Sequence, residues 1–266
     1  MTDPFRLDGR VAVVTGGSQG IGQAVTVALA RAGADVVGTY RPDPTPERQN
    51  HADETVAMVE ALGRRCRLVQ ADAGDPASAE RVADIARDEF GGLHVWINNA
   101  ARLLVRPFLE TSLDDWSALM ASNLFGYVYG SRAAVAHMLE NGGGRIINVT
   151  SVAGLQPIAD LSAYIVAKGG VRALTQVLAV EFGSRGIQVN ALAPGATDTP
   201  LNQHAYTPDV RKTYEERIPL ARIASSAEVA DAAVFLATDA SRYINGAELV
   251  CDGGMILNGS VGHAHD

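Results

Sequence analysis

The sequence predicts an α/β fold: a doubly wound parallel sheet of seven strands with helices on both faces. Three observations lead there. Short apolar runs alternate with segments of helical spacing from one end of the chain to the other. The runs are nearly continuous rather than alternating apolar and polar, the pattern of strands buried on both faces in a parallel sheet. Glycine and proline fall at the joints, where helix ends and turns need them.

Val11–Thr15 reads as the first strand, and Ile21–Ala32 as a helix closed by Gly33. Asp35–Tyr40 is the second strand. Glu54–Leu62 has helical spacing and again ends on a glycine, Gly63. Arg67–Gln70 is a short strand. Asp75 before Pro76 is an N-cap with proline in the first turn, opening a helix to about Phe90. Val95–Asn98 is the fourth strand, and Asp114–Glu140 is strongly helical. Arg145–Thr150 and Gln188–Leu192 are strands that flank the helix Tyr164–Phe182. Ser225 and Glu228 form a capping box for a helix to Leu236, and Glu248–Asp252 is the last strand. Two polar segments, Arg41–His51 and Asn202–Arg222, resemble insertions, as loops or short helices. With right-handed crossovers these units wind onto both faces. No repeat or linker divides the chain, so residues 1–266 read as one domain, with 259–266 as a flexible tail.

Bulk properties narrow the function. The chain has 266 residues, 47% hydrophobic, enough for a large core, and a formal net charge of -8. Nucleic acid is excluded as a partner, because phosphate binding needs clustered positive charge. Cys66 and Cys251 form no CxxC pair, which fits a reduced, cytoplasmic setting. No apolar run is long enough to span a membrane, and the first strand begins too early to leave room for a signal peptide. The six histidines occur singly or in the tail, where His263 and His265 lack further ligands, so no metal is expected.

The segment Thr15-Gly16-Gly17-Ser18-Gln19-Gly20-Ile21-Gly22 follows the first strand and opens the first helix. Glycines there let backbone approach a pyrophosphate, and the helix start offers unpaired N–H groups. The spacing is TGxxxGxG rather than GxGxxG. Further motifs follow in order: Asp72-Ala73 after the third strand, Asn98-Asn99-Ala100-Ala101 after the fourth, Asn123 within Ser122–Gly126, Ser151, Tyr164 with Lys168 as YxxxK, Pro194-Gly195 with Thr197 and Thr199, and Asp252-Gly253-Gly254. Together they resemble the short-chain dehydrogenases/reductases from about residue 8 to 256. One departure is Ala101, where that family's NNAG motif has glycine.

The resemblance implies a Rossmann domain and hydride transfer between a nicotinamide dinucleotide and a carbonyl or alcohol. It implies cofactor contacts from Gly16, Ser18, Gln19, Gly20, Ile21 and Gly22, from Tyr40 and Arg41, from Asp72, Ala73, Asn99 and Ala100, and from Tyr164, Lys168, Pro194, Gly195, Thr197 and Thr199. It also implies that Ser151 orients the substrate oxygen, that Lys168 holds the nicotinamide ribose, and that Asn123 bends its helix and anchors a proton-relaying water.

The residues support that chemistry on their own terms. Tyr164 and Lys168, four apart, share one helix face. A tyrosine titrates near ~10, and a nearby ammonium lowers that value by stabilising phenolate, so Tyr164 is expected to serve as acid in reduction and base in oxidation. Taken alone, the pair is also what any exposed helix carries. Ser151 ends a strand on the carboxyl edge of the sheet, where such folds bind ligands. No GxSxG elbow surrounds it, which argues against a serine hydrolase. A non-catalytic dinucleotide sensor would not need Ser151, Tyr164 and Lys168 together, and a scaffold protein would not need the glycine loop.

Tyr40 ends the second strand where NAD-binding relatives place an acid, and Arg41 follows with a fork suited to a 2′-phosphate. This favours NADP and leaves NAD open, with Asp43 able to reach a ribose. Segment 153–163, with Leu155, Gln156, Ile158 and Asp160, and the stretch holding Asn202, Gln203, His204 and Tyr206 are expected to line a small-molecule site. Such a lining suits a polyhydroxylated substrate, and the runs around Asp198–Asn202 and Asp252–Met255 resemble aldose 1-dehydrogenases. Oxidation of an aldose at C1 to a lactone leads, with reduction of 3-oxoacyl thioesters or other ketones as the alternative. The helix Asp114–Glu140 is apolar almost all round, and with Tyr164–Phe182 it resembles the family's dimer surface, which implies a homotetramer.

Overall fold

Valine and isoleucine fill the central strands because both faces of the sheet are covered. The computed structural model describes residues 3–41, 47–203 and 205–258. Asp43, His204 and the tail 259–266 lie outside them. The strands are β1 (Val11–Val14), β2 (Asp35–Tyr40), β3 (Cys66–Gln70), β4 (Val95–Asn98), β5 (Gly144–Val149), β6 (Ile187–Pro194) and β7 (Glu248–Cys251). All pair in parallel in the order β3-β2-β1-β4-β5-β6-β7. The helices are α1 (Gly20–Arg31), α2 (Glu47–Glu60), α3 (Pro76–Phe90), α4 (Leu113–Met120), α5 (Gly126–Glu140), α6 (Ser162–Phe182), α7 (Pro208–Arg217) and α8 (Ser226–Ala237).

The strand period of two divides the core. Ala12 and Val14 of β1, Val95 and Ile97 of β4, and Ile147 and Val149 of β5 pack against α1 and α8 through Val25, Leu29, Val229 and Leu236. Val11, Val13, Trp96 and Ile146 turn to the other face, against Val82 of α3 and Met138 of α5. Burying a side chain such as Leu29 contributes about 1.5–3 kcal/mol.

The caps behave as the sequence predicts. Asp75 accepts from the Ala77 N–H at 3.1 Å ahead of Pro76. Ser225 and Glu228 form both halves of a capping box. Gly33 and Gly63, just past the ends of α1 and α2, have φ of 111° and 73°.

Two stretches differ from expectation, and a third takes one of the forms expected of it. The helix α2 begins at Glu47, inside the segment read as an insertion. Within Asn202–Arg222, Thr207 caps α7 and Pro208 supplies its first turn. The helical stretch Asp114–Glu140 is interrupted by a π turn at Ala121–Phe125 that separates α4 from α5.

Candidate active site

The order of strand addition switches sides between β1 and β4, the point where open α/β sheets bind ligands. There a cavity of about 680 Å³ runs along the carboxyl ends of the strands. Its walls include Gly16, Ser18, Gln19, Gly20, Ile21 and Gly22 after β1, Tyr40 and Arg41 at the end of β2, and Asp72 and Ala73 after β3. Asn99 and Ala100 follow β4, Ser151 follows β5, and Pro194, Gly195, Thr197 and Thr199 follow β6. Tyr164 and Lys168 enter from α6. Of the catalytic and cofactor-binding residues singled out in the sequence, Asn123 alone is not part of this wall.

The glycine loop fits a dinucleotide. A Cβ on Gly22 would lie 2.0 Å from the Gly16 carbonyl oxygen, so the loop closes on the helix only with glycine there. Gly16 has φ of 67° and would bring a Cβ to 3.1 Å from the Ala100 Cα. Gln19 offers no side-chain cap, so the first N–H groups of α1 remain for a ligand. The hydroxyl oxygen of Thr199 is buried without a hydrogen-bond partner in the same cavity, as a polar group awaiting a carboxamide would be.

Side chains lock the loops that frame it. The Thr15 hydroxyl accepts from the N–H groups of Asn99 at 2.9 Å and Ala100 at 3.1 Å, and Asn99 returns a bond from Nδ2 to the Thr15 carbonyl at 2.9 Å. Asn123, fully buried in the π turn, is tied through its amide to the backbone of Arg102. Tyr40 turns its hydroxyl onto Gln49 of α2, while Arg41 borders the cavity. Asp72 accepts from the Gly74 N–H at 2.9 Å and faces the Arg102 guanidinium at 3.5 Å.

At the reactive end, Ser151 accepts from the Ala153 N–H at 3.1 Å, which leaves its own proton to donate. Burial raises the Tyr164 pKa, and the Ser151 hydroxyl opposes that shift. The sequence led us to expect the Lys168 ammonium to bring the Tyr164 value down. The structure corrects this: burial dominates, because Lys168 is itself fully buried, is pushed down to about 7, and gives its protons to other oxygens. One of these is the hydroxyl of Tyr127, which lies in the helix that the sequence marks as apolar almost all round. Its only signal was its place four residues beyond Asn123.

The outer part of the cavity is less polar than expected. Gln156, Asp160 and Gln203 are exposed and outside its walls. Leu155 is also outside. Asn202 borders it, yet its amide donates to the Thr197 carbonyl at 3.0 Å. Leu103, Val105, Ile158, Val210 and Met255 form the wall instead, with Tyr206 and Tyr214, whose ring centres are 5.2 Å apart.

Comparison with known proteins extends the description. A family model described as enoyl-(acyl carrier protein) reductase matches residues 16–256. The 3beta-hydroxysteroid dehydrogenase 1 of Eggerthella lenta is 38% identical over 253 residues, 94% of this chain and 95% of that protein. The D-threitol dehydrogenase of Mycolicibacterium smegmatis is 38% identical over 256 residues, covering 95% of each. A gluconate 5-dehydrogenase from Burkholderia cenocepacia, solved in complex with NADP and tartrate, superposes with a TM-score of 0.88 at 33% identity, over 96% of this chain and 98% of that one.

Proposed function

The chain belongs to the short-chain dehydrogenase/reductase family, and from that premise we propose that it interconverts a secondary alcohol and a ketone with NADP(H), on a substrate whose body is largely apolar. The observation that carries the chemistry is the meeting of Ser151, Tyr164 and Lys168 in one cavity with the glycine loop.

A nicotinamide dinucleotide, when bound, supplies the hydride acceptor or donor. The chain supplies position and proton transfer. Backbone from Gly16 to Gly22 cradles the pyrophosphate, Asp72 and Ala73 border the adenine, and Asn99 and Ala100 approach its ribose. Arg41 pairs with the 2′-phosphate beside Tyr40. Pro194, Gly195, Thr197 and Thr199 hold the carboxamide end. Ser151 donates to the substrate oxygen and fixes it toward Tyr164. The Tyr164 hydroxyl gives its proton to that oxygen in reduction and takes it back in oxidation. Lys168 holds the ribose and, as an ammonium, favours the phenolate that remains. Asn123, at the bend of its helix, would anchor a water that relays protons to Lys168, as the family resemblance implies.

The wall of Leu103, Val105, Ile158, Val210 and Met255 supports an apolar substrate body, since hydroxyls turned toward those side chains would lack partners. A second reading, oxidation of a sugar or polyol hydroxyl including aldose C1, is supported by the likeness to D-threitol dehydrogenase. Absorbance of reduced nicotinamide, followed with alicyclic and steroid alcohols in one set of wells and aldoses and threitol in another, each with NADP and with NAD, separates them. Turnover confined to the polyol set contradicts the apolar reading.

We also propose a homotetramer. Phe125, Val166 and Val180, on the π turn and α6, are 47%, 51% and 85% exposed in the single chain, apolar side chains that a second copy would cover. A monomer mass by light scattering contradicts it.

A further inference from the structure

The Lys168 ammonium rests on a second phenol, one that the acid–base scheme does not use. Nζ donates to the Tyr127 hydroxyl at 2.8 Å and to the Val149 carbonyl at 2.7 Å. The Tyr127 hydroxyl itself donates to that carbonyl at 3.0 Å. Nζ lies 4.6 Å from the centre of the Tyr127 ring and 5.7 Å from that of Tyr164. Tyr127 is 1% exposed and Lys168 2%. Because the one proton of the Tyr127 hydroxyl is spent on Val149, its oxygen meets Lys168 as an acceptor, the role an ammonium requires.

We propose that Tyr127 is a positioning residue: its hydroxyl, braced on the Val149 carbonyl, keeps Lys168 a protonated cation fixed beside Tyr164. The catalytic consequence rests on the acid–base reading above. The placement of the ammonium does not.

The groups facing Lys168 are few. Tyr164 comes from its own helix, Tyr127 from α5, and the Val149 carbonyl from the end of β5. Among the described residues no carboxylate pairs with it. Burial pushes Lys168 down to about 7 and raises both Tyr127 and Tyr164, so it works against the ammonium while it favours the neutral phenols. Among the described residues, two neutral oxygens and two aromatic rings are what hold the charge. Removing the Tyr127 oxygen leaves one carbonyl, which tilts the balance further toward neutral amine. Tyr164 phenolate then lacks its cation, and oxidation demands a higher pH.

The composition makes the test unusually clean, because the sequence contains two lysines, Lys168 and Lys212. Protein grown with lysine isotopically labelled at Cε shows two resonances by NMR, and Lys212→Arg identifies which belongs to Lys168. Titrating that resonance in ligand-free protein needs neither substrate nor cofactor. In Tyr127→Phe the Lys168 midpoint is expected to fall by about one pH unit, tenfold in proton affinity. An unmoved midpoint, with or without a loss of thermal stability, overturns the proposal. Should the phenylalanine variant not fold, Tyr127→Met repeats the experiment with a flexible side chain that lacks the oxygen, and the same fall is expected. Turnover by Tyr164→Phe judges the acid–base reading separately, so failure of one is not confused with failure of the other.

Discussion

The side-chain amide of Asn123 clasps the backbone of Arg102 from both sides, its Oδ1 accepting from the Arg102 N–H and its Nδ2 donating to the Arg102 carbonyl, each at 2.8 Å. A π turn of one helix is thereby fixed to the loop that leaves β4 and borders the cavity. The geometry reproduces the pairing of two strands with a single side chain, and it fixes where the loop can lie.

Asn123→Ala removes both bonds and leaves a backbone donor and acceptor of a partly buried segment without protein partners. Each such group costs about 1–3 kcal/mol. Chemical denaturation is expected to show a loss of that order. Cofactor binding is expected to weaken as the loop around Arg102 loosens. Unchanged stability would mean that water replaces the amide at no cost, and the clasp would have no structural weight.

Lys168 carries a stability cost whose sign can be worked out. Its pKa falls from 10.5 to about 7 on burial, so between those values the unfolded chain binds more protons than the folded one. Folding stability contributed by this group therefore rises with pH across that window, and the cost is full below about 7. Lys168→Met is expected to be more stable than wild type near neutrality, with the difference shrinking toward pH 10.5 as the wild-type penalty disappears. Thermal melts across that range check it, and a variant less stable than wild type at neutral pH would contradict it.

Cofactor choice is expected to follow the end of β2. Arg41→Ala should weaken NADP(H) by about tenfold, the loss of one charge-assisted contact, while leaving NAD(H) nearly unchanged. Tyr40→Asp should favour NAD(H) by supplying an acceptor for the ribose diol. Dissociation constants from quenching of protein fluorescence measure both. Equal weakening of the two cofactors by Arg41→Ala would assign that arginine to the loop rather than to the phosphate.

Much of this was legible in the sequence because it rests on local rules. Seven apolar runs became seven strands, and Asp75-Pro76 and Ser225 with Glu228 became caps, since these features depend on neighbours in the chain. Most motif residues could be placed for the same reason: they follow strands at one edge of the sheet, and Tyr164 with Lys168 share one helix. What escaped was set by distant contacts. Periodicity cannot distinguish an α-helix from one holding a single π turn, so Asp114–Glu140 read as continuous. Tyr127 looked like one more large residue on that helix, because nothing local reveals that it meets Lys168 and Val149. The polar residues Gln156, Asp160 and Gln203 were near the site in sequence, but the turns that carry them face outward. Even the direction of the Tyr164 shift depended on packing, because the expected ammonium was already held by other oxygens.

The central claim is that Tyr164 moves the proton that accompanies hydride transfer. Its most direct test is turnover by Tyr164→Phe, with cofactor binding measured on the same preparation. The account predicts that the variant binds NADP(H) within a few-fold of wild type while turnover of the preferred alcohol falls by about 10²–10⁴-fold, the contribution expected of a positioned acid–base group. Full turnover in a folded, cofactor-binding variant would contradict it and remove Tyr164 from the chemistry.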